Sequence, residues 1–160
     1  ERATVAPRRS GGGGVTTVLV VDDAADIRLL QRAVLGRSGF SVKEACGGPD
    51  ALAALAADPS PDVVVLDVQM PVMDGWETLA AIRADPRLAH LPVILCTVKT
   101  QPMDMERAWR AGCDGYLSKP FAISRLVEEV ETALARTVEE RDSVRRAWLS
   151  SPSPSPSAGG

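Results

Sequence analysis

The sequence lacks several features that would assign it to other classes of protein. No apolar run reaches the roughly 18 residues that a membrane-spanning helix needs. The net charge is −3, and a chain without a basic excess is a poor candidate for a general nucleic-acid binder. Its single histidine, His90, has no nearby ligand companions, and its three cysteines show no CxxC spacing. We therefore expect no membrane span, no direct contact with nucleic acid, and reduced, buried thiols in a cytoplasmic protein.

The two ends of the chain differ in composition from its centre. Residues 1–14 combine arginines with a run of glycines, and residues 150–160 form a Ser-Pro repeat with a small-residue end. Neither stretch can build a core, so we expect a flexible segment over 1–15 and a disordered tail over 150–160. One domain is predicted over 16–136. Residues 137–149 are expected to extend its last helix as a solvated segment that leads to a neighbouring domain.

Strand and helix patterns alternate between these ends. The five predicted strands cover residues 16–21, 40–45, 62–66, 91–96 and 114–118. The five predicted helices cover residues 24–38, 49–57, 76–84, 102–111 and 122–136. Continuous apolar strands joined by helices are typical of a parallel sheet that is covered on both faces. The predicted fold class is therefore three-layer α/β.

Polar side chains follow four of the predicted strands. Asp22 and Asp23 follow the first strand, Asp67 the third, Thr97 the fourth and Lys119 the fifth. Each of them alone could be a turn residue, a helix cap or a solvated charge. In a parallel α/β sheet, however, the functional crevice lies outside the carboxyl ends of the strands. We therefore expect these five side chains to converge at one edge of the sheet.

The converging groups have the chemistry of phosphoryl transfer. Three carboxylates repel one another at neutral pH, and an all-oxygen ligand set with open positions suits Mg²⁺. Lys119 supplies a positive charge and Thr97 a hydroxyl donor for phosphoryl oxygens. A carboxylate beside Mg²⁺ is a competent nucleophile toward phosphorus, which predicts an aspartyl phosphate.

Four separated segments carry a family resemblance: VLVVDDAADIR, VVVLDVQMPVMDG, LPVILCTVKT and AGCDGYLSKPF. With them the sequence resembles the receiver domains of two-component response regulators, the CheY-like superfamily, over about residues 16–136. The resemblance implies a flavodoxin-like, doubly wound sheet of five parallel strands in the order 2-1-3-4-5, with five helices. It implies a phosphoacceptor that assists its own phosphorylation and dephosphorylation, rather than an enzyme. Its donor would be a histidine kinase or a phosphotransfer protein.

The resemblance also implies which residues act at the reacting centre. Asp67 would accept the phosphoryl group. Asp23 and Asp67 would bind Mg²⁺ together with the backbone carbonyl of Gln69, and Asp22 would act mainly through water.

A second group of residues would recognise the phosphoryl group and transmit the signal. Lys119 and Thr97 would contact phosphoryl oxygens, and Thr97 and Tyr116 would form the switch pair. The switch would change a protein-interaction face that meets a downstream protein target or an attached domain. The bond between Lys119 and Pro120 is expected to be cis, as is usual in the family.

Two positions depart from the family pattern. Val98 stands where the family has a very small residue and could narrow access to Asp67. Ala122 stands where the last helix usually has a capping residue.

A degenerate receiver that acts only as a protein-interaction module is the main alternative function. A hydrolase of the haloacid dehalogenase type would need an acid where this chain has Gln69. For Trp109, packing and contact with a partner are equally open interpretations.

Overall fold

The computed structural model describes residues 14–57, 59–98 and 102–150 of the chain. Strands and helices alternate along this part of the chain. The strands are β1 (Thr17–Val21), β2 (Ser41–Ala45), β3 (Val63–Asp67), β4 (Val93–Thr97) and β5 (Gly115–Ser118). The helices are α1 (Ala25–Arg37), α2 (Gly48–Ala56), α3 (Gly75–Ala84), α4 (Pro102–Ala111), α5 (Ile123–Ala135) and α6 (Val138–Ser150).

All five strands form one parallel sheet in the order β2-β1-β3-β4-β5. The predicted sheet and strand order are thus confirmed. Every residue of β3 and β4 is buried, because these central strands are covered on both faces. The strand order reverses between β1 and β3, so a crevice opens beyond the carboxyl ends of these two strands.

Side chains alternate between two apolar layers, one on each face of the sheet. Leu19, Leu66 and Leu95 point into the layer that α2, α3 and α4 cover. Val20, Val65 and Ile94 point into the opposite layer, which α1 and α5 cover. Complete burial of each such side chain contributes roughly 1.5–3 kcal/mol, so the two layers hold the strand ends in fixed positions.

The sixth helix is a departure from the predicted architecture of five helices. The last predicted helix ends at Ala135, because Arg136 has an extended backbone with φ −89° and ψ 141°. A reciprocal pair of hydrogen bonds then starts α6: the Glu140 amide donates to the Thr137 hydroxyl (3.1 Å), and the Thr137 amide donates to the Glu140 carboxylate (3.0 Å). This capping box begins a new helix instead of extending the old one.

The expected solvated extension was also wrong, because α6 packs against the domain. Val144, Trp148 and Leu149 contact the apolar layer on the α4 side of the sheet. The Trp148 ring stacks on the Trp109 ring, with 5.9 Å between centroids and 24° between planes. Trp109 is 8% exposed, so in this arrangement it packs within the domain.

A buried carboxylate anchors the polar side of α6. Asp114 accepts from Arg83 (2.9 Å) and Arg145 (2.9 Å), and Arg141 Nε lies 3.2 Å from it. The amide of Val93 also donates to Asp114 (3.0 Å). The carboxylate therefore ties α6, α3 and the start of β4 to the segment that leads into β5.

Several smaller expectations have mixed outcomes. Cys96 and Cys113 are buried free thiols, as expected, and burial raises the pKa of Cys96 to about 12. Cys46 is exposed, which contradicts its expected burial, because it lies in the turn after the edge strand β2. Ala122 makes no side-chain cap for α5, as expected. None of the helices in the described ranges is both long and apolar enough to cross a membrane.

The expectations for the chain ends fall mostly outside the described residues. Of the segment 1–15, only residues 14 and 15 are described, and of the tail 150–160, only Ser150, which closes α6. The predicted boundaries of the domain, 16–136, stay a prediction.

Candidate phosphoacceptor site

Regular hydrogen bonding between strands holds the predicted nucleophile in place. Asp67 is the last residue of β3, and it pairs with Cys96 of β4. The next amide, that of Val68, donates to the Cys96 carbonyl (3.0 Å), so the chain stays tied to β4 just beyond the carboxylate. The Asp67 side chain is only 8% exposed. Its carboxylate therefore has a fixed position at the floor of the crevice.

Three acidic side chains meet at this point. Asp22, Asp23 and Asp67 each place a carboxylate oxygen within 4.8 Å of the others. Asp22 and Asp67 are buried, whereas Asp23 is exposed. A cation held here would have protein oxygens on one side and open coordination positions toward solvent on the other, which is the arrangement that Mg²⁺ adopts with phosphate ligands.

Lys119 approaches the acids from the end of β5. Its Nζ lies 2.9 Å from Asp22 Oδ2 and 3.4 Å from Asp67 Oδ1. Its backbone amide donates to the Thr97 carbonyl (2.7 Å), and the following bond to Pro120 is cis. Partial burial lowers the pKa of Lys119, but the hydrogen bond to Asp22 and the charge of Asp67 outweigh this and raise it. The ammonium therefore stays protonated.

The surroundings of Asp67 oppose its ionised form. Burial raises the pKa of Asp67 most, the Lys119 ammonium lowers it, and the charge of Asp22 raises it again. A backbone hydrogen bond from Gln69 favours the anion but does not reverse the net upward shift. Three carboxylates thus lie near one ammonium, and a divalent cation would reduce the repulsion between them.

The two predicted switch residues lie on the same face of the sheet. Tyr116 of β5 pairs with Leu95 of β4, and Thr97 follows Leu95 by two residues, so all three side chains share one face. Thr97 is buried at the mouth of the crevice, and Tyr116 is half-buried. Burial and the charge of Asp104 on α4 raise the pKa of Tyr116 to about 12.

A family model described as the response regulator receiver domain matches residues 18–131 of the chain. The chain belongs to this family. This outcome confirms the resemblance drawn from the four segments. It also leaves the hydrolase alternative without support.

Curated relatives share the receiver domain but are longer than this chain. Response regulator MprA of Mycobacterium avium is 37% identical over 123 residues, which cover 77% of this chain and 53% of that protein. The DNA-binding dual master transcriptional regulator RpaA of Synechocystis is 33% identical over 118 residues, covering 74% of this chain and 48% of that protein. The chain thus spans about half the length of the curated relatives that it matches.

Solved receiver structures cover the domain almost completely. Chemotaxis response regulator CheY4 of Vibrio cholerae matches with a TM-score of 0.69 and 33% identity, over 75% of this chain and 99% of that one. A putative response regulator from Chloroflexus aurantiacus matches with a TM-score of 0.72 and 31% identity, over 77% of this chain and 100% of that one.

Two supporting residues of this receiver domain were not singled out from the sequence. A Cβ on Gly75 would lie 2.5 Å from the Asp67 carbonyl oxygen, so only glycine allows the loop to close over the nucleophile. The Asp-Gly pair within VVVLDVQMPVMDG carried that signal. Arg28 donates to the Asp22 carbonyl and pairs with Glu44 at 3.3 Å, and no local pattern revealed it.

The remaining predicted residues lie at the rim of the site. Gln69 has an exposed side chain in the loop after β3, and Val98 is exposed just after Thr97. An apolar cavity of about 260 Å³ opens beside Lys119, between α1 and α5. Gln31 lies in its wall, and the side-chain oxygen of Gln31 is buried without a hydrogen-bond partner among the described residues.

Proposed function

We propose that this receiver domain is a phosphoacceptor of a two-component phosphorelay and that Asp67 is the residue phosphorylated. One observation supports this most. The Asp67 carboxylate lies at the end of a buried strand, 3.4 Å from the Lys119 ammonium and within a cluster of three acids. A nucleophile, a phosphate-binding cation and a metal-binding oxygen set thus occur at one point.

The transfer itself needs little covalent chemistry from the protein. An Asp67 oxygen attacks the phosphorus of a phosphohistidine, an O–P bond forms, and the N–P bond breaks. The electron pair of that bond returns to the imidazole of the donor. Lys119 and the Thr97 hydroxyl would stabilise the charge on the phosphoryl oxygens through charge-assisted hydrogen bonds. The domain would thereby assist its own phosphorylation and dephosphorylation.

Asp22, Asp23, Asp67 and the Gln69 carbonyl would hold Mg²⁺. Bound there, Mg²⁺ would neutralise charge on the nucleophile and on the transferring group. The upward shift in the pKa of Asp67, caused mainly by burial, agrees with this assignment, because a bound cation would favour the ionised carboxylate.

The phosphodonor is a histidine kinase or a phosphotransfer protein. The apolar cavity between α1 and α5 lies directly beside Lys119, so a donor that reaches Asp67 would cover it. Burial of apolar side chains such as Ile27 and Leu30 would then add to the affinity. Because such donors are supplied with phosphate by ATP inside the cell, we expect the chain in the cytoplasm.

The output would leave through protein contacts rather than through nucleic acid or membrane. Phosphorylation would draw Thr97 toward a phosphoryl oxygen, and Tyr116 would turn inward on the same face of the sheet. A downstream protein or an attached domain would recognise the altered surface around α4, β5 and α5. A ligand shifts such an equilibrium only by its different affinity for the two states.

The phosphorylation site can be tested with acetyl phosphate and Mg²⁺. Intact-mass measurement should show one added phosphoryl group on the wild type and none on Asp67→Asn. Asp26→Asn is the matched control, because Asp26 is an exposed acid at the start of α1. Labelling of Asp67→Asn at the wild-type level would show that another residue is the acceptor. A wild type that stays unlabelled by small donors and kinases would favour the interaction-module alternative.

The metal assignment has a separate test. Mg²⁺ bound only by the folded state stabilises that state by RT ln(1 + c/Kd), where c is the free Mg²⁺ concentration, so the melting temperature rises with the Mg²⁺ concentration. Millimolar Mg²⁺ should therefore stabilise the wild type clearly more than Asp23→Ala in differential scanning calorimetry. Equal shifts for the two proteins would mean that Mg²⁺ binds elsewhere.

A further inference from the structure

The surface of α4 around Trp109 is already covered by a helix of this chain. Trp148 of α6 stacks on Trp109, and Val144 and Leu149 pack against the same apolar layer. The covering helix begins at Val138, beyond the residues that the receiver family model matches. The α6 helix is therefore an addition to the shared fold, and it lies on a helix that flanks the proposed switch.

Ion pairs and hydrogen bonds from two arginines also hold α6 on this surface. Arg141 and Arg145 both reach the Asp114 carboxylate, and Arg145 also donates to the carbonyls of Gly112 and Cys113. These carbonyls belong to the turn between α4 and β5. The α6 helix is thus attached to α4 through Trp109 and to the turn that leads from α4 into β5, the strand that carries Tyr116.

The proposed switch residue belongs to the same packed cluster. Tyr116 lies two residues after Asp114, and it packs on the apolar layer that contains Trp109 and receives Trp148. In the structure the docked α6 occurs together with a half-buried Tyr116 that packs on this apolar layer. A Tyr116 that turned inward would change the support of α4 and hence the position of Trp109 under Trp148.

The docked arrangement also carries an uncompensated cost. The indole nitrogen of Trp109 is buried and has no hydrogen-bond partner among the described residues. An unsatisfied buried donor destabilises the state that contains it. Release of α6 would remove the Trp148 ring that stacks on Trp109, so a modest displacement of α4 can shift the balance toward the undocked helix.

We propose that α6 is a built-in occupant of the α4 surface, and that phosphorylation of Asp67 releases it and frees the Trp109 surface for another protein. This inference rests on the proposed function of Asp67. The coupling is reciprocal: if the phosphoryl group weakens docking of α6 by some factor, docking of α6 weakens binding of the phosphoryl group or its analogue by the same factor.

Hydrogen exchange with beryllofluoride and Mg²⁺ tests the release. Amides of 138–150 should exchange about two- to tenfold faster with the phosphoryl analogue, a range set by the loss of one aromatic pair, while amides of 67–75 become protected. Protection of 67–75 with unchanged or slower exchange in 138–150 would overturn this inference alone. No change in either segment would overturn the proposed function as well.

Affinity for the analogue tests the reciprocal effect. Trp148→Leu should lower the midpoint of a beryllofluoride titration, followed by amide chemical shifts, by about two- to tenfold. Arg146→Ala is the matched control, because Arg146 is an exposed residue of the same helix. Should Trp148→Leu fail to fold, Val144→Ala removes a smaller contact of the same face and should act in the same direction. A folded variant with the wild-type midpoint would overturn the coupling.

Discussion

Replacement of Asp114 by asparagine tests the role of the buried carboxylate that holds α6. The Asp114 side chain is 2% exposed and lies within 3.2 Å of three guanidinium groups, those of Arg83, Arg141 and Arg145. Asparagine keeps the shape and one acceptor oxygen. Its amide nitrogen would face guanidinium donors, and the negative charge of Asp114 would be gone.

The size of the effect follows from the burial of these partners. Loss of one member of a buried ion pair costs about 3–5 kcal/mol, because the other charge stays buried without compensation. The arginine side chains here are only 9–21% exposed, so solvent screens them weakly. A loss of that size is a large part of the roughly 5–15 kcal/mol that stabilises a typical domain. At about 2–4 °C per kcal/mol, the melting temperature should fall by roughly 6–20 °C.

Urea unfolding followed by circular dichroism at neutral pH measures this loss. The control is Asp142→Asn, because Asp142 pairs with one of the same arginines, Arg145, through a side chain that is 46% exposed. An exposed pair contributes about 0–1 kcal/mol, so the control should lie close to the wild type. If Asp114→Asn also lost no more than about 1 kcal/mol, the buried network would not anchor the fold.

Two further predictions concern the loop that carries the nucleophile. Burial and Asp22, partly opposed by Lys119, raise the pKa of Asp67 above the ordinary value of 3.8, so its ionisation removes stability as pH rises through the window above 3.8. In urea titrations without metal, Asp67→Asn should therefore be more stable than the wild type at neutral pH, and the difference should shrink as pH falls to 3.8; a difference independent of pH would contradict this. Val72 has φ 69° and a side chain that is 95% exposed, so Val72→Gly should relieve backbone strain and add about 1 kcal/mol to the free energy of unfolding. Val72→Ala keeps the Cβ and should gain less, and a Gly variant less stable than the wild type would refute the strain.

The arrangement of the sheet was predictable because its signals are local and repeated. Short apolar runs identified β1, β3 and β4, alternation of apolar and polar residues identified β2, and the residues after the strands identified the edge where polar groups gather. Asp22, Asp23, Asp67 and Lys119 come from three separate strand ends, and the parallel topology alone brings them together. The parts of the prediction that depend on strand direction therefore agreed with the structure.

The sixth helix was missed because its docking depends on contacts between distant parts of the chain. The Thr137–Glu140 capping box is a local signal for a new helix, whereas the predicted structure is a continuation of the preceding helix. The apolar side chains of α6 are few, and its polar anchor, Asp114, comes far earlier in the sequence. The spacing of Arg141 and Arg145 is helical, yet nothing local shows that both point to one buried acid.

The described residues contain two clusters of acidic and basic side chains, and the ratio of negative to positive charge is opposite in the two. This difference distinguishes the proposed functional site from a structural one. At the carboxyl edge of the sheet, three carboxylates meet one ammonium, that of Lys119, so the centre lacks positive charge and can accept a cation. Near the amino ends of β4 and β5, one carboxylate, Asp114, meets three guanidinium groups that backbone carbonyls also bind. The three arginines already neutralise the Asp114 carboxylate, so this cluster stabilises the fold without binding a ligand.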